Sequence, residues 1–361
     1  MEPQTQYDIV KGVGNDEELE KYRQCFIFNG SEKSLDNLKW MHQQNLRGSN
    51  SIYYGIDRET HDIAGIHTYL PVILRCMGKV VNGMQSFDTL TDKRHRSKGL
   101  FIKLALTVVK EESVNNELVY AFPNENSAYG YVKKLGFNYF GEVPFLIKPF
   151  RVSYFIRKIL KRRAAGIPES NCNILIPHRT RLKGRFEIKE ISKFDEKYDE
   201  LYNAVIPQIN IGINRNAAYM NWRYIAKPGE IYARFGLYED NQLTGVIVFT
   251  LKNKHGGKIG YLMELLYDPK NEKAGTHLLK FCTGTLKKNN ADLILAWCFD
   301  HSFNYTCIRR NGYYKFPEKF RPQKLNFITK TLHSKNIKDI FNLSVGFDYP
   351  GYEFNNQNYL V

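Results

Sequence analysis

The stretch of sequence best suited to chemistry is a short basic loop between a predicted strand and a predicted helix. The strand covers residues 83–90, the loop carries Arg94, Arg96 and Lys98, and the helix begins near Gly99. The first backbone N–H groups of a helix are unpaired and its dipole is positive there, so a phosphate group fits at that end. A glycine also lets the backbone approach a ligand closely. The loop therefore predicts a pyrophosphate site, although a tight turn with a solvated basic rim would have the same composition.

A second informative segment lies 37 residues further on, measured from Gly99 to Gly136. It covers residues 123–137 and reads as a helix that ends in Lys134-Leu-Gly-Phe137. The stretch Arg96-Ser-Lys-Gly-Leu-Phe101 resembles the Arg-Gly-x-Gly-x-Gly/Ala loop that binds the acyl-CoA pyrophosphate in the GNAT acetyltransferase superfamily. Residues 123–137 resemble the second signature of the same superfamily, and the spacing of the two is the one that this family leads us to expect.

The resemblance implies an acyl-CoA donor, with acetyl-CoA as the first candidate, no metal, and direct transfer of the acyl group to an amine. A backbone N–H near Thr89 and Leu90 would polarise the thioester carbonyl, as oxyanion donors do. Asn124 would bond to the pantetheine amide, although a turn asparagine is an equal alternative. The residues implied to surround the cofactor pyrophosphate are Arg94, Arg96, Ser97, Lys98, Gly99, Leu100 and Phe101.

The proton transfers of such a reaction need a base and an acid. The acceptor amine must lose a proton before it attacks, and Asp88 or Asp92, or a water held by one of them, could take it. Both residues could equally be structural turn aspartates. Many members of the superfamily protonate the leaving thiolate with a tyrosine on the last helix, but alignment on Gly136 places Val132 there. Tyr131, one residue earlier, is therefore the candidate acid, with a core or groove-lining role as the alternative.

The sequence also contains an internal repeat. Five landmarks recur in the same order at offsets of 182, 181, 180, 176 and 176 residues: Trp40 with Trp222, Gly55 with Gly236, Gly65 with Gly245, Gly99 with Gly275, and Gly136 with Gly312. An ordered set at a nearly constant offset predicts a tandem duplication. We expect Gly275 to open a helix as Gly99 does. The loop before Gly275 has no Arg-x-x-Gly, so we expect no cofactor loop in the second copy.

Each copy shows the same order of predicted elements: an antiparallel meander, a helix, a buried strand and a further helix. This order predicts an α/β fold of the α+β mixed-sheet kind, with helices packed on the sheets. With the resemblance, it implies two tandem GNAT-like domains, the second degenerate. We expect a first domain over residues 1–149, a basic helix and linker over 150–185, a second domain over 186–332 and a C-terminal helix or tail over 333–361.

Residues 150–163 form a predicted basic amphipathic helix. Its apolar face would carry Val152, Phe155, Ile156, Ile159 and Leu160, with Arg157, Lys158, Lys161, Arg162 and Arg163 elsewhere. Such a helix can lie on an anionic membrane or hold an acidic partner. A connector whose apolar stripe packs between the two domains is the interpretation that we prefer.

The overall composition limits the possible partners and location. The 361 residues include 52 Lys and Arg against 37 Asp and Glu, a net charge of +15, which favours an anionic cofactor, membrane surface or nucleic acid. The six cysteines form no Cys-x-x-Cys pair, which is unlike a zinc site or a disulfide framework. The chain shows no signal peptide and no apolar stretch long enough to cross a bilayer, so we expect a cytoplasmic protein.

Three functions remain open at the level of sequence. The first is N-acylation of a small-molecule amine, for example an amino sugar used in surface polysaccharides. The second is an aminoacyl-tRNA-dependent transferase related to the peptidoglycan aminoacyl transferases, for which the cofactor loop would be needless; the sequence makes no strong case for nucleic acid. The third is a non-catalytic module that binds acyl-CoA or another anion.

Overall fold

The computed structural model describes residues 6–48, 51–76, 78–159, 168–182, 184–209, 211–317 and 325–332. The predicted tail and residues 160–167 of the predicted linker lie outside these ranges. The α-helices described are α1 (Asp16–Phe28), α2 (Leu35–Gln43), α3 (Leu100–Glu112), α4 (Glu125–Tyr129), α5 (Val152–Ile159), α6 (Glu196–Val205), α7 (Ala217–Tyr224), α8 (Glu272–Lys288) and α9 (Phe303–Arg310). The strands are β1 (Tyr7–Lys11), β2 (Ser51–Asp57), β3 (Ile63–Cys76), β4 (Lys79–Thr91), β5 (Leu118–Ala121), β6 (Asn138–Glu142), β7 (Phe145–Pro149), β8 (Ser170–Asn171), β9 (Arg179–Arg181), β10 (Phe186–Glu190), β11 (Ile211–Ile213), β12 (Ala233–Glu239), β13 (Gln242–Lys254), β14 (Gly257–Tyr267), β15 (Leu293–Trp297), β16 (Tyr314–Lys315) and β17 (Asn326–Thr331).

The strands form two mixed sheets. The first has the order β1-β2-β3-β4-β5-β17-β6, with β11 beside β3. The second has the order β16-β7-β15-β14-β13-β12-β10-β9, with β8 beside β13. In each sheet one central pair is parallel, β4 with β5 and β14 with β15. The predicted α/β class with mixed sheets is therefore confirmed. No helix in the described ranges is long and apolar enough to span a bilayer.

The two sheets exchange strands. Strand β7 follows β6 along the chain, yet it lies between β15 and β16 of the second sheet. Strand β17 belongs to the second half of the chain, yet it lies between β5 and β6 of the first sheet. Each sheet is therefore completed by a strand from the other half. The predicted domain boundaries stay a prediction, since sheet membership does not follow chain order.

One recurring glycine pair, Gly65 and Gly245, marks places where a helix lies directly on a sheet. A Cβ at Gly65 would lie 3.0 Å from Leu100 Cδ2 of α3, and one at Gly245 would lie 2.8 Å from Leu278 Cδ1 of α8. Carbon atoms in contact need about 3.5 Å. Any larger residue at these positions would push the helix away from the sheet. The repeat therefore preserves a close helix–sheet contact in each half.

Equivalent residues of the two halves meet at one point in the molecule. The rings of Trp40 and Trp222 stack with their centroids 4.3 Å apart and their planes 14° from parallel. Trp40 Nε1 also donates to the Trp222 carbonyl oxygen at 3.0 Å. A residue that contacts its own equivalent lies on a two-fold axis between the parts. We propose an internal duplication as the origin of this arrangement.

A buried ion pair recurs in both halves. Lys33 Nζ lies 2.6 Å from Asp88 Oδ1, and Arg215 Nη1 lies 3.1 Å from Glu264 Oε1, with all four side chains almost inaccessible to solvent. The two cations are 182 positions apart and the two carboxylates 176, which are the offsets of the tryptophan and glycine landmarks. The second half has the ion pair but no predicted cofactor loop. We therefore assign the pair a structural role.

We expect both ion pairs to stabilise the fold. Asp88→Asn and Glu264→Gln each leave a buried cation without its carboxylate, which costs about 3–5 kcal/mol in the free energy of unfolding. Urea unfolding measures the free energy of unfolding of the two variants and the wild type. Asp16→Asn, at an exposed carboxylate, is the control. An Asp88→Asn variant as stable as the wild type but inactive would contradict a structural role for the pair and assign the carboxylate to the chemistry.

Candidate functional site

A cleft opens where the two parallel strands of the first sheet separate. Strands β4 and β5 are paired only from Gly83 with Leu118 to Ser86 with Ala121, where β5 ends. Strand β4 continues to Thr91, so within the described ranges its last residues have no strand partner on that side. The register between β3 and β4 shifts here, and Asp88 has a positive φ of 44°, as at a β-bulge. The opening encloses about 730 Å³.

Most of the predicted cofactor residues line this cleft. The lining includes Thr89, Leu90, Arg96, Ser97, Gly99, Leu100, Phe101 and Asn124, together with Asp88. The opposite wall comes from the end of α1 and the loop after it, with Phe26, Asn29 and Gly30. Arg94 is directed elsewhere, since its guanidinium donates to Asp92 and Asp62. Lys98 is exposed on the loop.

The N-terminus of α3 is built differently from that of its equivalent, α8. Gly99 is the N-cap of α3 with a φ of 77°, and no side chain caps the first N–H groups. In α8 the side chain of Asn271 accepts from the Ala274 N–H. Gly275 does not open α8, so the prediction that it does is wrong. It lies inside the helix, where a Cβ would be 2.6 Å from the Tyr267 ring. The first half alone therefore presents an uncapped helix end.

In the second sheet, a side chain of α9 is hydrogen-bonded to β14 where this strand separates from β15. Strands β14 and β15 are paired from Ile259 to Leu262, after which β14 continues to Tyr267. Asn304, at the start of α9, is completely buried, and its Nδ2 donates to the Leu265 carbonyl oxygen at 3.0 Å. A side chain of the protein thus satisfies a carbonyl group of β14 beyond the end of its pairing with β15.

A buried polar network closes the floor of the cleft. The hydroxyl of Tyr131 lies 2.7 Å from Ser86 Oγ, 3.3 Å from Thr89 Oγ1 and 3.1 Å from His67 Nε2. Burial raises the pKa of Tyr131 above its ordinary value, which keeps the hydroxyl protonated. Phe101, which lines the cleft, packs edge-on against the Tyr131 ring. The candidate acid thus lies beneath the lining, next to Thr89.

His67 and Ser86 are members of this network that the sequence analysis missed. Burial lowers the pKa of His67 to about 3, so that the imidazole is neutral at pH 7. Its ring stacks between Tyr69 and Phe101. The internal repeat could have revealed them, because polar residues of the first half are replaced in the second. At offsets of 180, 176 and 176, the positions equivalent to His67, Ser86 and Tyr131 are Ile247, Leu262 and Cys307. The network is therefore specific to the first half.

His95 is a further lining residue that the sequence analysis did not select. It is buried against Tyr7, whose hydroxyl lies 3.1 Å from Nδ1, and Asp57 Oδ2 lies 3.7 Å from the same nitrogen. Because Nδ1 faces these partners, Nε2 is the ring nitrogen that remains for a ligand. His95 is thus a second candidate for proton transfer in the cleft.

The other predicted site residues have partners within the protein. Asp88 accepts from the Tyr22 hydroxyl at 2.9 Å as well as from Lys33. Asn124 is the N-cap of α4, and its Oδ1 accepts from the Ser127 N–H at 3.0 Å. Both residues still line the cleft, so their proposed roles stay predictions. Among the described residues, no three His, Cys, Asp or Glu side chains come together as a metal ion would require.

Solved structures with the same fold span nearly the whole chain. Saccharomyces cerevisiae N-myristoyltransferase with bound myristoyl-CoA and inhibitors has a TM-score of 0.59 and 14% identity, over 92% of this chain and 81% of that one. A GCN5-related N-acetyltransferase from Anabaena variabilis has a TM-score of 0.59 and 13% identity, over 90% and 73%. An Enterococcus faecalis protein described as a probable N-acyltransferase has a TM-score of 0.59 and 11% identity, over 91% and 73%.

These likenesses show that the chain has the GNAT N-acyltransferase fold, as the two sequence motifs implied. No family model and no curated protein matches the sequence. The identities are low enough that the likeness concerns the fold, and the site must be argued from its own residues.

We expect His67 to make the protein sensitive to acid. The unfolded chain binds a proton at this residue below about pH 6.5, whereas the folded protein does so only near pH 3. Stability therefore falls as the pH falls from 6.5 towards 3, by about 1.4 kcal/mol for each pH unit at the steepest. Urea unfolding at several pH values measures this slope.

The comparison variant is His67→Gln, which removes the titrating group. It should be less stable than the wild type at pH 7 but should lose less stability on acidification. Part of the slope should remain, because burial lowers the pKa of His42 to about 4 and this residue acts in the same direction. An identical slope in His67→Gln and the wild type would mean that His67 is not held neutral.

Proposed function

We propose that the chain is an acyl-CoA-dependent N-acyltransferase whose donor binds in the cleft of the first half. The observation that carries this proposal is the continuity of the opening after Ser86 with the uncapped N-terminus of α3 at Gly99. An extended pantetheine arm suits the gap between separated strands, and a pyrophosphate suits the helix end, with Arg96 beside it. The similar yeast enzyme was solved with bound myristoyl-CoA, which supports a CoA donor.

The part of β4 beyond Ser86 supplies the electrophilic assistance in this proposal. A backbone N–H near Thr89 and Leu90, which lie beyond the last pair of the β4–β5 ladder, polarises the thioester oxygen in this proposal. The amine attacks the carbonyl carbon, the C–S bond breaks, and the sulfur leaves with a proton. Donors that are already in position when negative charge develops contribute most to such a step.

We propose a short acyl group, acetyl in the first instance, for a steric reason. The floor of the cleft is closed by Tyr131 and Phe101, which pack against each other and against His67. A long acyl chain would have to displace these rings, at the cost of the buried hydrogen bonds of Tyr131. The acceptor in our proposal is a small primary amine such as an amino sugar, and the reaction takes place in the cytoplasm.

A non-catalytic acyl-CoA-binding module is the second candidate. The observation that favours it is the engagement of both predicted catalytic groups by the protein: Asp88 is bound to Lys33 and Tyr22, and Tyr131 lies beneath the cleft lining. His95 is then the main group left to transfer a proton. Binding of the donor without turnover in a screen of amines would favour this candidate.

Calorimetric titration with acetyl-CoA tests the donor site. We expect micromolar binding that falls at least tenfold in Arg96→Glu, because a carboxylate beside the pyrophosphate replaces attraction with repulsion. Lys273→Glu, a charge reversal in the first turn of the equivalent helix α8, is the matched control and should bind as the wild type does. Equal losses in both variants would indicate a general charge effect, and the absence of wild-type binding would refute the acetyl-CoA assignment.

Steady-state kinetics of Tyr131→Phe test the candidate acid. If Tyr131 protonates the leaving sulfur, kcat should fall about 10²-fold with little change in KM, since only the proton is lost. Tyr120→Phe is the matched control, because Tyr120, in β5, is equally buried and its hydroxyl donates to Gln85 Oε1 at 3.0 Å. Similar kcat values for the two variants would contradict an acid role for Tyr131 and leave it a structural role. His95 would then be the candidate for proton transfer.

A further inference from the structure

The helix that follows β7 turns aliphatic side chains towards solvent. Val152 is 73% exposed and Ile156 is 50% exposed, and residues four apart lie on one face of a helix. Tyr154 lies on the other side of α5, where its ring contacts Gly257 and its hydroxyl donates to the His255 carbonyl oxygen. Phe155 packs partly against the core. The expected connector, with its whole apolar stripe packed between the domains, therefore does not describe Val152 and Ile156.

A third exposed aliphatic residue, Leu175, follows β8, which pairs with β13 of the second sheet. Leu175 is 85% exposed, and its backbone N–H and C=O are both bonded to the side chain of Asn289, just after α8. The next residue, Asn290, accepts from Arg151 Nη2 at 2.8 Å. The backbone of Leu175 and the side chain of Arg151, just before α5, are thus both hydrogen-bonded to the turn that follows α8.

Positive charge surrounds these aliphatic side chains. Arg151 precedes α5, Arg157 lies on it, and Lys287 and Lys288 belong to the exposed last turn of α8. The carboxylate of Asp292 is almost completely buried, where it accepts from the Lys258 N–H and lies 3.7 Å from Arg151. The carboxylate of Glu169 is paired with Lys254. The exposed charge of this edge is therefore positive.

We propose that this surface, which we call the basic–aliphatic edge, binds reversibly to an anionic lipid bilayer. It consists of Arg151, Val152, Ile156, Arg157, Leu175, Lys287 and Lys288. Aliphatic side chains that protrude singly among cations suit the bilayer interface, where the chains enter the acyl boundary and the cations meet lipid phosphates. A single-stranded nucleic acid would call for aromatic stacking surfaces, and the exposed apolar residues here are all aliphatic.

The binding is expected to be weak and peripheral. Three aliphatic side chains bury little area, so charge attraction must add to their insertion before the protein is retained. None of these residues lines the cleft of the first half, so the proposal is independent of the proposed acyltransferase activity.

Sedimentation of the full chain with vesicles tests the proposal. We expect binding to vesicles of equal parts phosphatidylcholine and phosphatidylserine, little binding to phosphatidylcholine alone, and loss of binding as salt is added. The double variant Val152→Asp with Ile156→Asp should bind at least tenfold less. Val114→Asp is the matched control, because Val114 is 76% exposed after α3 and lies outside this surface.

A second pair of variants tests the charge. Lys287→Glu at the end of α8 should weaken vesicle binding roughly fivefold or more, the effect expected for one basic side chain near an anionic leaflet. Lys273→Glu at the other end of the same helix should leave binding unchanged. Since the substituted side chains are exposed, all variants should melt at the temperature of the wild type.

Three outcomes would overturn the proposal. The first is equal retention of the wild type on neutral and anionic vesicles or on neither. The second is binding by the Val152 and Ile156 double variant as strong as that of Val114→Asp. The third is retention on an acidic polypeptide or RNA without retention on anionic vesicles, which would assign the surface to a macromolecular partner.

Discussion

The separation of two parallel strands is the constraint on which the rest of this structure depends. Where β4 leaves β5 after Ser86, and where β14 leaves β15 after Leu262, backbone groups lose their ladder partners and must be satisfied in another way. The second half uses a side chain, since Asn304 donates to the Leu265 carbonyl oxygen. The first half leaves an open cleft that ends at an uncapped helix. The two halves thus share one architecture, and the described cleft of about 730 Å³ lies in the first of them.

Comparison of the halves also separates scaffold from site. The Lys33–Asp88 and Arg215–Glu264 ion pairs occur in both, and so do the glycines that let a helix lie on the sheet. The hydrogen-bonded set of Tyr131, Ser86, Thr89 and His67 occurs in the first half alone. A buried polar network destabilises the fold unless every member is hydrogen-bonded. Apolar side chains at the same positions would carry no such cost in stability. Its presence beside the cleft is therefore best explained by function.

The strand exchange makes the two halves a single folding unit. Strand β17 lies between β5 and β6, so the sheet that carries the cleft is completed by residues from the far end of the described chain. Strand β7 does the reverse, and the chain then enters α5, whose Tyr154 contacts Gly257 at the start of β14. Removing either half would expose long unpaired strand edges. The first half is therefore not expected to fold in isolation.

Local patterns in the sequence determined several elements of the fold and its class. The helix after Gly99, with Leu100, Leu104 and Val108 buried at helical spacing, the strands around it and the mixed-sheet class all follow from periodicity and turn residues. The tertiary structure alone decided the partners of Tyr131, the neutral state of His67, the place of Gly275 inside α8 and the outward face of α5. Each of these depends on which distant segments pack together. Periodicity identifies an apolar face, but it does not say whether another element covers it.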